Sequence, residues 1–290
     1  MTALGLPAFQ AILPDLVDRD ELLAATSLGL AQYNLGRVVG PALAGLVLAV
    51  GSYTWAFAIN AASFGAVIVA LLFVRLPRAS APGDEGGLWE RIVTGVRAAA
   101  AEPGCRTAIV GIGVTALLLS PFIALIPAVA LKLFGTGETG AAVLVTAQGV
   151  GAVAGAMVLA GLAERYGRRR VLVATLVTLP LVMALYGVAP TFVLATAALV
   201  VVGAVYVGVL SGLGTVVQLR APAAVRARVL SLYMVALGVI YPVGAVLQGF
   251  LGDRLGMRQV TVGAAVLYLA VLAAVQSARP RLTETLDDLP

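Results

Sequence analysis

In this 290-residue chain, Arg37 holds the position that most needs a physical explanation. It stands about midway along a predominantly apolar run, residues 22–50, within Tyr33-Asn34-Leu35-Gly36-Arg37-Val38-Val39-Gly40-Pro41-Ala42-Leu43-Ala44-Gly45. If that run is a helix in lipid, a guanidinium near its centre costs about 2.5–3.5 kcal/mol or more. Arg37 then faces a water-filled cavity, where an anionic substrate can meet it, or pairs with an acid supplied from elsewhere. Tyr33 and Asn34 offer hydrogen bonds but no countercharge, and all 14 acidic residues fall in loops, helix ends or the tail. Gly36 and Gly40 form a GxxxG pair that lets another backbone approach closely. Pro41 removes a backbone donor and favours a kink that neighbouring helices can compensate. With Gly45 these residues suit ordinary helix packing and a gate equally well.

Other chemistry is narrowly bounded. The chain has no His, so it has neither a His-ligated metal nor a His general base. Cys105 is alone, which removes an internal disulfide and a Cys cluster. No cofactor or metal is expected. A second polar cluster, Gly161-Leu162-Ala163-Glu164-Arg165-Tyr166-Gly167-Arg168-Arg169-Arg170, joins two apolar runs. Its acid is favoured beside the start of the next helix, and its arginines suit anionic headgroups. Any RRR cluster anchors topology in this way. Gly249-Phe250-Leu251-Gly252-Asp253-Arg254-Leu255-Gly256 echoes it on the opposite side.

These groups are positioned by elements made for lipid. Hydrophobic residues are 61% and charged residues 11%, with a mean hydropathy of +1.03; soluble domains carry about 25% charged residues. A spanning helix needs about 20 mostly apolar residues. On that rule eight spans are expected at 22–50, 52–74, 106–131, 140–163, 171–188, 191–217, 228–251 and 259–276. Of the 19 basic residues, 15 fall in alternate loops and the tail, three in the loops between, and Arg37 within a span. The basic excess therefore reads as positive-inside topology, with the 15-charge side and the C-terminus cytoplasmic, and not as a nucleic-acid surface.

The apolar stretch Ala3 to Leu13 is about half a span and lacks a signal peptide's basic start, so a truncated beginning is expected. Residues 75–105 form the one candidate linker. Within it Trp89, Ile92, Val93 and Val96 recur at helical spacing, as in a short amphipathic helix on the cytoplasmic face. That helix serves as a tether between bundles or as a docking site for a partner. An offset of 204 residues lays the first full span on the seventh and pairs Gly40 with Gly244 and Gly45 with Gly249. Two-bundle transporters are built from such repeats.

Three stretches carry a family resemblance. Leu13-Pro14-Asp15-Leu16-Val17 running into Asn34 through Gly45 resembles the fifth-helix antiporter motif of the major facilitator superfamily. Ala160 through Arg170 resembles that family's loop motif after the eighth helix, with Glu164 where Asp is usual and Ala160 where Gly is usual. Ala221-Pro222 followed by Arg226-Ala227-Arg228-Val229 resembles the loop entering the eleventh helix. The chain as a whole is similar to the drug and siderophore exporters of that superfamily.

The resemblance implies an all-α membrane protein, a two-bundle helical transporter lacking its first three helices and most of the fourth. Residues 1–74 would be the remainder of the N-terminal bundle, 75–105 a cytoplasmic linker, 106–278 a six-helix C-terminal bundle and 279–290 a cytoplasmic tail. It implies that the fifth, seventh, eighth, tenth and eleventh family helices line a cavity. That nominates Tyr33, Asn34, Arg37, Phe122, Gln148, Tyr206, Gln218 and Tyr241, although packing or an interfacial belt accounts equally well for the aromatics. Gly36, Gly40, Pro41 and Gly45 become a gating motif, and Glu164, Arg165, Gly167, Arg168 and Arg169 a loop motif. The implied function is efflux of a small amphipathic molecule, a drug or siderophore, across the bacterial inner membrane by alternating access with proton antiport. A non-transporting remnant, an assembly subunit and an uptake permease are the alternatives; an enzyme would need intramembrane catalytic groups that are absent here.

Overall fold

The computed structural model describes residues 53–73, 88–222 and 225–278, together with position 47. Tyr33, Asn34, Gly36, Arg37, Gly40, Pro41 and Gly45 lie outside the described residues. The chain divides into two compact units, Met1–Glu85 and Gly86–Pro290. In the first, helix α1 (Tyr53–Phe73) occupies the expected span 52–74 and is apolar on every side.

The regular elements among the described residues of the second unit are all helices, from α2 (Leu88–Ala101) and α3 (Pro103–Leu118) to α4 (Phe122–Phe134) and α5 (Gly137–Tyr166). It continues through α6 (Arg168–Val188), α7 (Phe192–Arg220), α8 (Arg226–Leu255) and α9 (Met257–Ala278). Taking α3 and α4 together, six stretches here are long and apolar enough to cross a membrane. Their large exposed side chains, such as Val158, Leu185, Val246 and Phe250, suit a lipid solvent.

Local chemistry sets the helix ends. Glu102 stops α2 and caps α3, its carboxylate accepting the Cys105 N–H at 2.5 Å with Pro103 in the first turn. Thr191, in extended backbone, caps α7 by accepting the Leu194 N–H at 3.3 Å. Gly167 (φ +87°) and Gly256 (φ +99°) are the single residues between α5 and α6 and between α8 and α9. Only a residue without a β-carbon turns the chain there without strain. The similarity between the Glu164 loop and the Gly249–Gly256 segment therefore has a structural basis: each contains a positive-φ glycine that is the single residue between two helices.

The expected amphipathic helix is present as α2, but its burial differs from the simple apolar stripe. Val96 is 48% exposed while Ala99 is buried. Small residues make the contact, since a β-carbon on Gly95 would stand 3.3 Å from Arg228 Cβ on α8.

Helix packing in the unit depends on glycine. On α5, a β-carbon on Gly151 or Gly155 would overlap the backbone of Val200 or Ala204 on α7. On α7, one on Gly203 would overlap the Gln148 carbonyl oxygen. The two helices thus meet backbone to backbone, the arrangement that small-xxx-small spacing permits in lipid. Within the most apolar 18-residue stretch of each span, 50% of the positions are buried in α7 and 56% in α3–α4, against 17% in α8. The most enclosed spans of the unit are therefore α7 and α3–α4.

Candidate functional site

The predicted span 106–131 is two helices, broken over residues 119–121. The run is apolar throughout, so periodicity predicts one continuous helix. Pro121 decides otherwise: it has no N–H to return to the Leu117 carbonyl one turn earlier. The next amide, Phe122 N–H, bonds to Leu119 O at 3.3 Å and so leaves the Leu118 carbonyl free as well.

Two carbonyls stranded in an apolar interior cost several kcal/mol unless they are paired. Gln248 on α8 pairs both. The residue is 7% exposed, and its side-chain amide donates to Leu117 O at 3.0 Å and to Leu118 O at 2.9 Å. Gly244, one turn before it, lets α8 come near enough, because a β-carbon there would overlap the Leu117 oxygen.

A chain of hydroxyls runs through the same break. Thr115 Oγ1 donates to Gly111 O at 2.8 Å. Its single proton is thereby used, so at the 3.0 Å contact with Tyr268 the tyrosine hydroxyl donates. On the other side Tyr206 donates to Ser120 Oγ at 2.8 Å, and Ser120 donates to Thr115 O at 3.2 Å. Thr115 and Ser120 are fully enclosed at 0% and 1% exposure. The break is thus bound to α7 through Tyr206, to α8 through Gln248 and to α9 through Tyr268.

Ion pairs brace both ends of the bundle. At one end Glu102 Oε1 accepts from Arg220 Nε at 3.0 Å, joining the start of α3 to the end of α7. Negative charge at a helix start and positive charge at a helix end both favour this pairing. At the other end Lys132 Nζ meets Asp253 Oδ1 at 2.5 Å, joining α4 to α8. Beside it Arg258 donates to Gly187 O and Ala189 O, capping α6, at 3.4 Å and 2.7 Å.

Of the nominated residues, Phe122 and Tyr206 are brought together. Their rings meet edge to face at 5.5 Å, and both are buried at the break. Gln148 on α5 and Tyr241 on α8 are half-buried, and Gln218 near the end of α7 is exposed. The loop motif sits at the α5–α6 turn. Glu164, Arg165 and Arg168 are exposed there, Arg169 is half-buried, and the Arg165 guanidinium lies 5.3 Å from the Tyr166 ring centroid. Gln248, Thr115, Ser120, Tyr268 and the Glu102–Arg220 pair were not among the residues expected at a site. A lone Gln in an apolar helix and the Ser120-Pro121 step were the signals available.

Long apolar helices, a proline-broken span with its polar groups satisfied internally, and exposed apolar flanks define a multi-pass all-α membrane protein. A family model described as transmembrane secretion effector matches residues 1–290. The chain is 30% identical over 287 residues to the multidrug efflux pump Tap of Mycolicibacterium fortuitum, a match covering 97% of this chain and 69% of that pump. It is 36% identical over 80 residues to the enterobactin exporter EntS of Salmonella typhi, covering 28% of this chain and 19% of the exporter. The corresponding exporter of Escherichia coli O139:H28 is 35% identical over the same length. The chain belongs to the transmembrane secretion effector family of the major facilitator superfamily. Its named relatives are efflux transporters, and membership implies a lipid bilayer and a small-molecule substrate.

Proposed function

We propose that the chain is a secondary active transporter that exports a small amphipathic molecule by alternating access, driven by proton antiport. The observation carrying this reading is the 30% identity to an efflux pump along 97% of the chain. The names of its relatives point to a multidrug-like or siderophore-like substrate. The charge asymmetry supports an orientation with the Arg165–Arg170 end and the C-terminus cytoplasmic, in the inner membrane.

In this account residues 1–74 and 106–278 belong to two bundles, tied by the cytoplasmic segment 75–105 and followed by a tail at 279–290. Gln148, Gln218 and Tyr241 contact the substrate from the second bundle. Phe122 and Tyr206 shape the wall behind them, and Tyr33, Asn34 and Arg37 contribute from the first. Gly36, Gly40, Pro41 and Gly45 act as the gating segment, and the Glu164–Arg169 turn as the cytoplasmic anchor. The break at 119–121 serves as a bend whose backbone is already satisfied by Gln248, so the bundle can rock without exposing carbonyls.

No predicted span carries a carboxylate at mid-depth, so coupling is tested directly. Everted vesicles holding the full chain are acidified inside, and lipophilic cations and a catecholate siderophore are added in turn. Substrate-dependent proton release from the lumen is expected. Substrate uptake into the vesicles without any pH response would remove antiport and leave efflux standing.

A further inference from the structure

Pro242 lies inside α8, where it has no N–H to return to the Gly238 carbonyl one turn earlier. Its ring also crowds that carbonyl. The prolines inside α4 and α6 free the carbonyls of Ile123 and Leu176 in the same way, so only at Pro242 does the freed oxygen belong to a glycine. Gly238 is exposed, and a glycine's exposure is that of its backbone. A β-carbon built there meets no described atom within 4 Å. Met234, Gly238 and Pro242 follow at four-residue spacing on one exposed face of α8, with Tyr241 half-buried beside them.

Depth makes this opening unusual. Along the helix the nearest charges are Arg228, ten residues before Gly238, and Asp253, eleven residues after Pro242. At 1.5 Å per residue each lies about 15 Å away, which is the middle of a hydrocarbon core about 30 Å thick. A freed carbonyl facing lipid there is costly, and it is tolerated where it lines a water-filled path. The 204-residue offset lays Asn34 on Gly238 and Arg37 on Tyr241, so both repeats place polar groups at this level.

We propose that Gly238 O is a substrate-binding acceptor, and that it takes an uncharged N–H presented by an amphipathic molecule. This rests on the exporter function proposed above and names the chemistry that its site selects. An acceptor whose helical donor is missing selects a donor. No predicted span carries a carboxylate at mid-depth, and Arg37 is the one charge there, so an ammonium meets no countercharge. An indole-like or amide-like N–H gains the hydrogen bond and keeps its apolar body beside Met234 and Pro242.

The test titrates the purified full chain in nanodiscs with a fluorescent arylindole bearing a short glycol arm, and with its N-methyl analogue, which lacks the donor. The unaltered chain should bind the N–H form about fivefold more tightly, the worth of one hydrogen bond. Pro242→Ala restores the N–H that closes the helix onto Gly238 O, and alanine favours the helix. That variant should bind both forms alike, at the affinity of the N-methyl form. Gly238→Leu fills the opening and should weaken both forms, whereas Gly263→Leu on α9 should weaken neither. Equal binding of the two forms by the unaltered chain would overturn the proposal. A preference that survives Pro242→Ala would do so too, because it would come from the added methyl group or from another acceptor. Unchanged binding by Gly238→Leu, or binding of neither form by the unaltered chain, would count against it equally. Export is read separately, from accumulation in cells, so failure of the exporter function and failure of this acceptor are distinguishable.

Discussion

Replacing Gln248 with Met keeps the length of the side chain and removes the amide that holds the broken span. Two buried carbonyls, Leu117 O and Leu118 O, then lose their donors. An unsatisfied buried polar group costs about 1–3 kcal/mol in a soluble core. Hydrogen bonds measured within a membrane protein average only about 0.6 kcal/mol each, because the unfolded chain also finds partners there. For two bonds at a site this enclosed, a loss of about 1–3 kcal/mol is expected. The assay is unfolding of the purified chain in mixed micelles by increasing SDS, followed by far-UV circular dichroism. A second variant makes the reasoning specific. Pro121→Ala restores an N–H that can reach Leu117 O, so one of the two carbonyls no longer depends on Gln248. In that background Gln248→Met should cost about half as much, a coupling of about 1 kcal/mol. An unchanged transition for Gln248→Met would refute the account of the break. Equal costs with and without Pro121 would refute the assignment of Leu117 O as the carbonyl freed by proline.

Further substitutions test the rest of the bundle. Gly203→Leu places a side chain against the Gln148 carbonyl and should cost about 3 kcal/mol or more, read as loss of the monodisperse peak in size-exclusion chromatography. Gly263→Leu, at a position with nothing within 4 Å, should leave that peak unchanged. Tyr186→Phe should stabilise the chain by about 1 kcal/mol in the SDS titration, because the buried Tyr186 hydroxyl has no hydrogen-bond partner among the described residues. Glu102→Ala removes both the α3 cap and a partner of Arg220, and should cost about 2 kcal/mol. Its double-mutant cycle with Arg220→Ala should show positive coupling, and strict additivity would mean that the pair contributes nothing.

The spans of the second unit were legible because burial in lipid demands about 20 apolar residues in a row, a signal that needs no partner to be read. The predicted segments 140–163 and 228–251 are observed as Gly137–Tyr166 and Arg226–Leu255. They extend past the apolar run because glycines with positive φ, Gly167 and Gly256, set the ends more sharply than the loss of hydropathy does. The break at Pro121 was less legible. Proline inside a spanning helix is compatible with continuity, and α4, α6 and α8 each contain one without breaking. The outcome at Pro121 rests on Gln248, 127 positions away, which offers the freed carbonyls a better partner. The Glu102–Arg220 and Lys132–Asp253 pairs were invisible for the same reason, each joining residues more than 100 positions apart. The family resemblance came through short motifs, of which the Glu164 loop is described and supplies, in Gly167, the single residue between α5 and α6. The nominated residues followed from helix order alone, and order does not say which face a side chain takes. Phe122 and Tyr206 accordingly sit together against the break, while Gln218 is exposed.

As the proposed exporter, this chain should move amphipathic molecules out of cells. Steady-state accumulation of a fluorescent lipophilic cation tests it most directly, in an efflux-deficient bacterium expressing the full chain, against cells carrying the empty vector. Accumulation should be lower with the chain in the membrane fraction and should rise to the vector level when a protonophore collapses the proton gradient. Equal accumulation across a panel of amphipathic dyes and a siderophore, with the chain inserted and folded, would contradict it.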